Sequence, residues 1–220
     1  MVSFVSSAAC LNWKFQIPAL SAAALALLAV GTAERGSPYG AETNAATPFL
    51  ALKDVNVPEY PAVAAKLVQA AAPADRAQIA HDALQAISML ARPGVMPYVV
   101  NAVCRANPGT AGAVVATATQ LYPQNVLFFT RAATCAAPEQ AGEIVYAACK
   151  GAPADFVDIT LIAGQLAPSS DDEILKGLAG ALPGLKDVLA KAQEQTATNA
   201  PGIVLARMLE LVKLAQTSDH

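Results

Sequence analysis

Seven prolines, Pro93, Pro108, Pro123, Pro138, Pro153, Pro168 and Pro183, recur at a strict interval of fifteen residues, and Pro58 and Pro73 are separated by the same interval upstream. At the chain's overall proline frequency, six further prolines in register after the first have a chance probability on the order of 10⁻⁷ per starting point, so the period marks a structural unit. A chain with such a period is confined to repeat architectures, which fix a shape and leave the ligand open.

With each proline taken as column one, column seven holds Ala64, Ile79, Val99, Val114, Phe129, Ile144, Ile159, Ile174, Leu189 and Val204, apolar in every unit. Column eleven holds Val68, Ala83, Val103, Ala118, Ala133, Ala148, Ala163, Leu178, Gln193 and Met208. Positions four apart lie on one face of a helix, whereas a strand would need apolar residues at every second position. Column three carries Asp75, Thr110, Asn125, Asp155 and Ser170, residue types that can cap a helix with a side-chain oxygen, and Ser170 with Glu173 has capping-box spacing. The residue before each proline is pushed out of the α region, which ends the preceding helix.

A helix over columns four to fourteen is about 16 Å long and too short to be stable alone. Turns of about four residues make successive helices antiparallel, so pairs form 30-residue hairpins that stack. The expected fold is all-α: a right-handed or near-linear α-solenoid of about ten short antiparallel helices over residues 58–212. The second unit has twenty residues, with the surplus between Ala86 and Arg92. It is read as a longer helix, with a projecting functional loop as the alternative.

Residues 1–33 differ in kind. Lys14 precedes an apolar core, Leu20 to Val30, in which only Ser21 is polar, and Gly31, Thr32 and Ala33 follow it. The pattern is that of a secretory signal cleaved after Ala33, with a retained N-terminal membrane anchor as the alternative. Cys10 precedes the apolar core and so does not occupy a lipoprotein site. The protein is accordingly expected to be exported, to a periplasm or to the exterior. Residues 34–57 read as a tether and a docking segment, with Phe49, Leu50 and Leu52 placed to cap the first hairpin, and residues 213–220 as a frayed tail.

Residues 34–220 carry 13 Lys and Arg, the chain's 14 less Lys14, against 17 Asp and Glu, a formal charge of −4. No basic cluster forms the footprint that phosphate binding requires, so nucleic acid is not an expected partner. Cys104, Cys135 and Cys149 follow the apolar core. Cys104 and Cys135 fall in helices two apart, about 9 to 10 Å between axes against a bridging limit near 7 Å, so three free thiols are expected. Neither Cys-x-x-Cys nor a neighbouring His pair is present, and no metal or other cofactor is implied.

Catalytic constellations are scarce. His81 is the one histidine within the array and falls in column nine, a position expected to face solvent, while His220 ends the chain. Asp171, Asp172 and Glu173 form one acidic run, which a helix start explains because unsatisfied N–H groups favour negative charge. Columns nine and thirteen hold the polar surface: Lys66, His81 with Gln85, Asn101 with Arg105, Gln120, Arg131, Tyr146 with Lys150, Gln165, Lys176, and Lys191 with Gln195. Alternate helices face the same way. Asn101, Arg105, Arg131, Gln165 and Lys191 therefore form a cationic, amide-rich ladder suited to a carboxylate-bearing or hydroxylated partner. The expected function is that of an exported, non-enzymatic scaffold or binding module for a protein or polymer of the cell envelope or exterior. An enzyme or enzyme accessory with a site near His81 or the acidic run is the alternative.

Overall fold

Proline ends each helix and then restarts the chain. The computed structural model describes residues 46–190, which form α1 Ala46–Lys53, α2 Tyr60–Ala70, α3 Arg76–Leu90, α4 Met96–Ala106, α5 Ala111–Leu121, α6 Val126–Ala136, α7 Ala141–Gly151, α8 Phe156–Leu166 and α9 Asp171–Ala181. A further helix opens at residues 186–190, and no strand occurs among the described residues. The helices α4 to α9 each run from column four to column fourteen. The residue before the proline leaves the helix, with φ of −141° at both Asn107 and Tyr122. Its N–H still donates to the carbonyl four residues back, Asn107 to Val103 at 2.9 Å and Tyr122 to Ala118 at 2.9 Å. Its carbonyl accepts from column three, Thr110 to Asn107 at 3.0 Å and Asn125 to Tyr122 at 3.0 Å. Columns one to three thereby form a single 3₁₀ turn headed by proline, whose missing N–H is no loss at a helix start.

That turn overrides the side-chain caps read from the sequence. Asp75, Thr110, Asn125, Asp155 and Ser170 immediately precede their helices, yet none bonds a helix N–H, and Ser170 and Glu173 form no capping box. A capping side chain works from extended backbone. These residues close a turn instead, Thr110 at φ −99° and ψ 0°. The backbone supplies the bond: the Ala111 N–H donates to the Pro108 carbonyl, and the Thr110 hydroxyl donates backward to Asn107 at 2.8 Å.

The helices form two layers. In one, α2, α4, α6 and α8 pack side by side; in the other, α1, α3, α5, α7 and α9 do so, and sequence neighbours pack across the layers. This is an all-α solenoid. Column seven is its spine, with Ala64, Val99, Val114, Phe129, Ile144, Ile159 and Ile174 fully buried and Leu189 nearly so. Column eleven is alanine in α3, α5, α6, α7 and α8, and all five are fully buried, so the layers meet closely along it. The docking residues lie on α1, which packs on α3 and α2: Leu52 is buried, Phe49 is half-buried against the core and Leu50 is exposed.

The five-residue surplus becomes helix, making α3 fifteen residues long. The buried stripe on α3 runs one residue along from the column frame, at Ala80, Ala83, Leu84 and Ile87, and column-seven Ile79 is only half-buried. The signal-like segment, its cleavage point after Ala33, residues 34–45, the array beyond residue 190 and the tail 213–220 lie outside the described residues. No helix among the described residues is long and apolar enough to cross a membrane.

Candidate functional site

Each layer has an outer face, and the two faces are built differently. On the face of α2, α4, α6 and α8, columns six, nine and thirteen fall within an arc of about 60° at 100° per residue. Column six places Tyr98 on α4 and Phe128 on α6, exposed at 59% and 63%. Arg105 shares the face of α4 and Arg131 that of α6, both exposed, and Lys66 is exposed on α2. Exposed Asp158 takes the column-six place on α8 and ends the aromatic stripe. Two large exposed rings thus occupy one column of neighbouring parallel helices, and each helix also carries an exposed arginine on that face.

The ladder read from the sequence survives in part. Arg105, Arg131 and Gln165 are exposed, and Lys191 lies outside the described residues. Asn101 is different: it is half-buried, and its amide nitrogen Nδ2 donates to the Ala132 carbonyl on α6 at 2.9 Å. It stitches α4 to α6 and is not a surface group awaiting a partner. Tyr98 and Phe128 were missed because the columns were sorted for polar residues. Their signal was present, since column six sits opposite the buried columns seven and eleven closely enough to be solvent-facing.

On the other layer an open groove of about 850 Å³ runs between α5 and α7. One wall, α5 and the turn before it, is bare at Gly109, Gly112, Ala113 and Ala116 and carries Thr119 and Gln120 at its far end, and the α7 wall carries Glu143, Tyr146 and Lys150. A second groove of about 480 Å³ lies between α7 and α9, where Glu173 and Lys176 face Gln140, Glu143 and Tyr146. Tyr146 lines both grooves and is 36% exposed, with the Lys150 ammonium 5.7 Å from its ring centroid.

The candidates for acid–base chemistry are scattered. His81 does not stand free in solvent: it is half-buried, with Nδ1 3.1 Å from the Thr117 hydroxyl on α5. Asp171, Asp172 and Glu173 occupy the first turn of α9, where the helix dipole favours them. Among the described residues no group of three His, Cys, Asp or Glu side chains could hold a metal ion. Cys104, Cys135 and Cys149 form no disulfide, Cys135 half-buried and the others buried. Burial pushes the Cys104 and Cys149 thiols up to about 12, at Cys149 against a Thr160 hydrogen bond that lowers it. Such thiols are inert packing groups.

No protein family model, curated protein or solved structure matches the chain.

Proposed function

We propose that the protein is an exported, non-enzymatic helical-repeat module that holds an acidic protein partner against the outer face of α4 and α6. The observation that carries this reading is the pair Tyr98 and Phe128, each more than half exposed in the same column of adjacent helices. Aromatic and arginine side chains are the residue types that dominate protein interfaces, where a few such anchors supply most of the binding energy. Arg105, Arg131 and Lys66 give the patch a positive sign on a chain of formal charge −3, which favours an acidic surface and speeds encounter with it. Export is supported by the apolar segment Leu20 to Val30 and the small residues after it.

The test is affinity capture from envelope extract, followed by titration of the identified, purified partner at several salt concentrations. Reversing both Arg105 and Arg131 to Glu turns attraction into repulsion and should weaken binding by about 1 to 3 kcal/mol, roughly five- to hundredfold. The loss should deepen at low salt, where exposed charges are least screened. Lys150→Glu, on the opposite layer, serves as control. Equal affinity for the double reversal and the native chain would remove this face from consideration.

A further inference from the structure

We propose that the two adjoining grooves on either side of α7, toward α5 and toward α9, are a binding site for an uncharged oligosaccharide. This site is independent of the α4/α6 face. Its two parts share Gln140, Glu143 and Tyr146, so the α7 ridge links about 850 Å³ on one side with about 480 Å³ on the other. Each volume lies within the roughly 300–1,000 Å³ range of small-ligand sites, and together they form a track suited to a chain of rings.

The chemistry of the lining selects the ligand. Three carboxylates, Glu139, Glu143 and Glu173, stand with two ammonium groups, Lys150 and Lys176. An anionic ligand meets the carboxylates and a cationic one meets the lysines, so neither sign is favoured. A hydroxyl both donates and accepts, and it can be satisfied by every polar group present: carboxylates accept, ammonium groups donate, and the amides of Gln120 and Gln140 do both. An aliphatic ligand would strand these groups without partners, at a desolvation penalty.

Tyr146 supplies the complement to the hydroxyls. The electron-rich face of an aromatic ring attracts the weakly positive C–H bonds on the flat side of a sugar, and its hydroxyl remains a polar handle. The Lys150 ammonium lies over the ring, 5.7 Å from its centroid, so a stacked sugar takes its place on that face and the flexible lysine becomes a donor at the sugar's edge. Gly109, Gly112, Ala113 and Ala116 on α5 send nothing across to fill the space.

The experiment is calorimetric titration of the purified full chain with a panel of neutral hexasaccharides, one each of α-glucose, β-glucose, β-N-acetylglucosamine, β-mannose, β-xylose and β-galactose. A peptide of alternating Glu and Lys is titrated in parallel. The expected result is saturable binding of at least one sugar, weakened about three- to tenfold by Tyr146→Ala, as loss of one stacking ring implies. Tyr146→Phe should retain most of the affinity, and Tyr98→Ala all of it. Circular dichroism checks the fold, and should Tyr146→Ala lose it, Glu143→Ala and Lys176→Ala, both at exposed positions, carry the same test. The proposal is overturned if no sugar in the panel binds, if the bound sugar is indifferent to the groove variants, or if only the peptide responds to them.

Discussion

Column five sets α5 and α7 apart from α4, α6 and α8. In α5 and α7 it is Gly112 and Gly142, while in α4, α6 and α8 it is Pro97, Leu127 and Val157. The consequence is sharpest between α7 and α9, whose backbones touch. A Cβ on Gly142 would lie 2.6 Å from the Glu173 carbonyl oxygen, and one on Gly177 would collide with the Gly142 carbonyl. Side chains fill the α4/α6/α8 layer, with Phe129 and Ile159 fully buried at its centre. Its buried Thr130 and Thr160 hydroxyls donate back to Val126 at 2.9 Å and Phe156 at 2.6 Å, so they add volume without leaving polar groups unpaired. One repeat frame thus accommodates packing by side-chain volume throughout and, between α7 and α9, direct backbone approach as well. The surfaces follow: the filled layer displays Tyr98 and Phe128, and the close-packed layer leaves a bare α5 wall and an open groove.

The largest expected effect tests the filled layer. Phe129→Ala should lower unfolding free energy by about 3 to 5 kcal/mol, because the cavity adds to the lost burial. Denaturant titration that finds less than 1 kcal/mol would mean this layer collapses onto the gap and does not depend on volume. The close-packed layer is tested by Gly177→Ala. Alanine is the better helix former by about 0.8 to 1 kcal/mol, so propensity alone anticipates stabilisation. Backbone collision anticipates a loss of about 1 to 3 kcal/mol instead. The sign of the change decides between them, and Gly180→Ala, whose Cβ would meet Tyr146 at an ordinary 3.4 Å, is the control that should be tolerated.

Alkaline unfolding compares how dry the two layers are. Cys104 lies in α4 and Cys149 in α7, and burial raises both thiols from 9.0 to about 12. The unfolded chain loses these protons first as pH rises past about 9, so between about 9 and 12 it binds fewer protons than the native state and stability falls, by about 1.4 kcal/mol per pH unit for each thiol. Their contribution is complete below the unfolded value and lost as pH rises through the folded one. Cys104→Ala and Cys149→Ala should each remove one such increment of slope. An effect from only one of them would show that water reaches the other layer.

How far the chain could be read depended on whether a feature was periodic. Column seven and the prolines declare helices, their length and their antiparallel order, because each unit must bury the same face and turn at the same place. The caps were misread because Thr110 and Ser170 have the right chemistry in a backbone that the preceding proline has already bent into a 3₁₀ turn. His81 was misplaced because the buried stripe of α3, Ala80, Ala83, Leu84 and Ile87, lies one residue on from the column counted from Pro73. The grooves needed knowledge of contacts between helices thirty residues apart: Gly112 matters only because Glu143 sits over it, with its Cβ 3.4 Å from where a Gly112 Cβ would be. Nothing local to either segment records that meeting.

The smallest expected effect decides what Asn101 does. As a ladder residue it would serve a partner and leave the fold indifferent to its loss. As a stitch it links two helices of the filled layer, its amide reaching across to the Ala132 carbonyl. The Ala132 carbonyl is an amide oxygen with a second lone pair, so removing the donor does not strand it completely, and Asn101→Ala should cost about 0.5 to 1.5 kcal/mol. Asn101→Asp should cost more at neutral pH than at pH 3, because a carboxylate aimed at a carbonyl oxygen repels it and a carboxylic acid can donate. Recovery of Asn101→Asp stability relative to Asn101→Ala on acidification identifies the interhelical bond. Parallel pH dependence of the two variants, together with weakened partner binding in both, would return Asn101 to the surface ladder and leave the spacing of α4 and α6 to Leu127 and Pro97 alone.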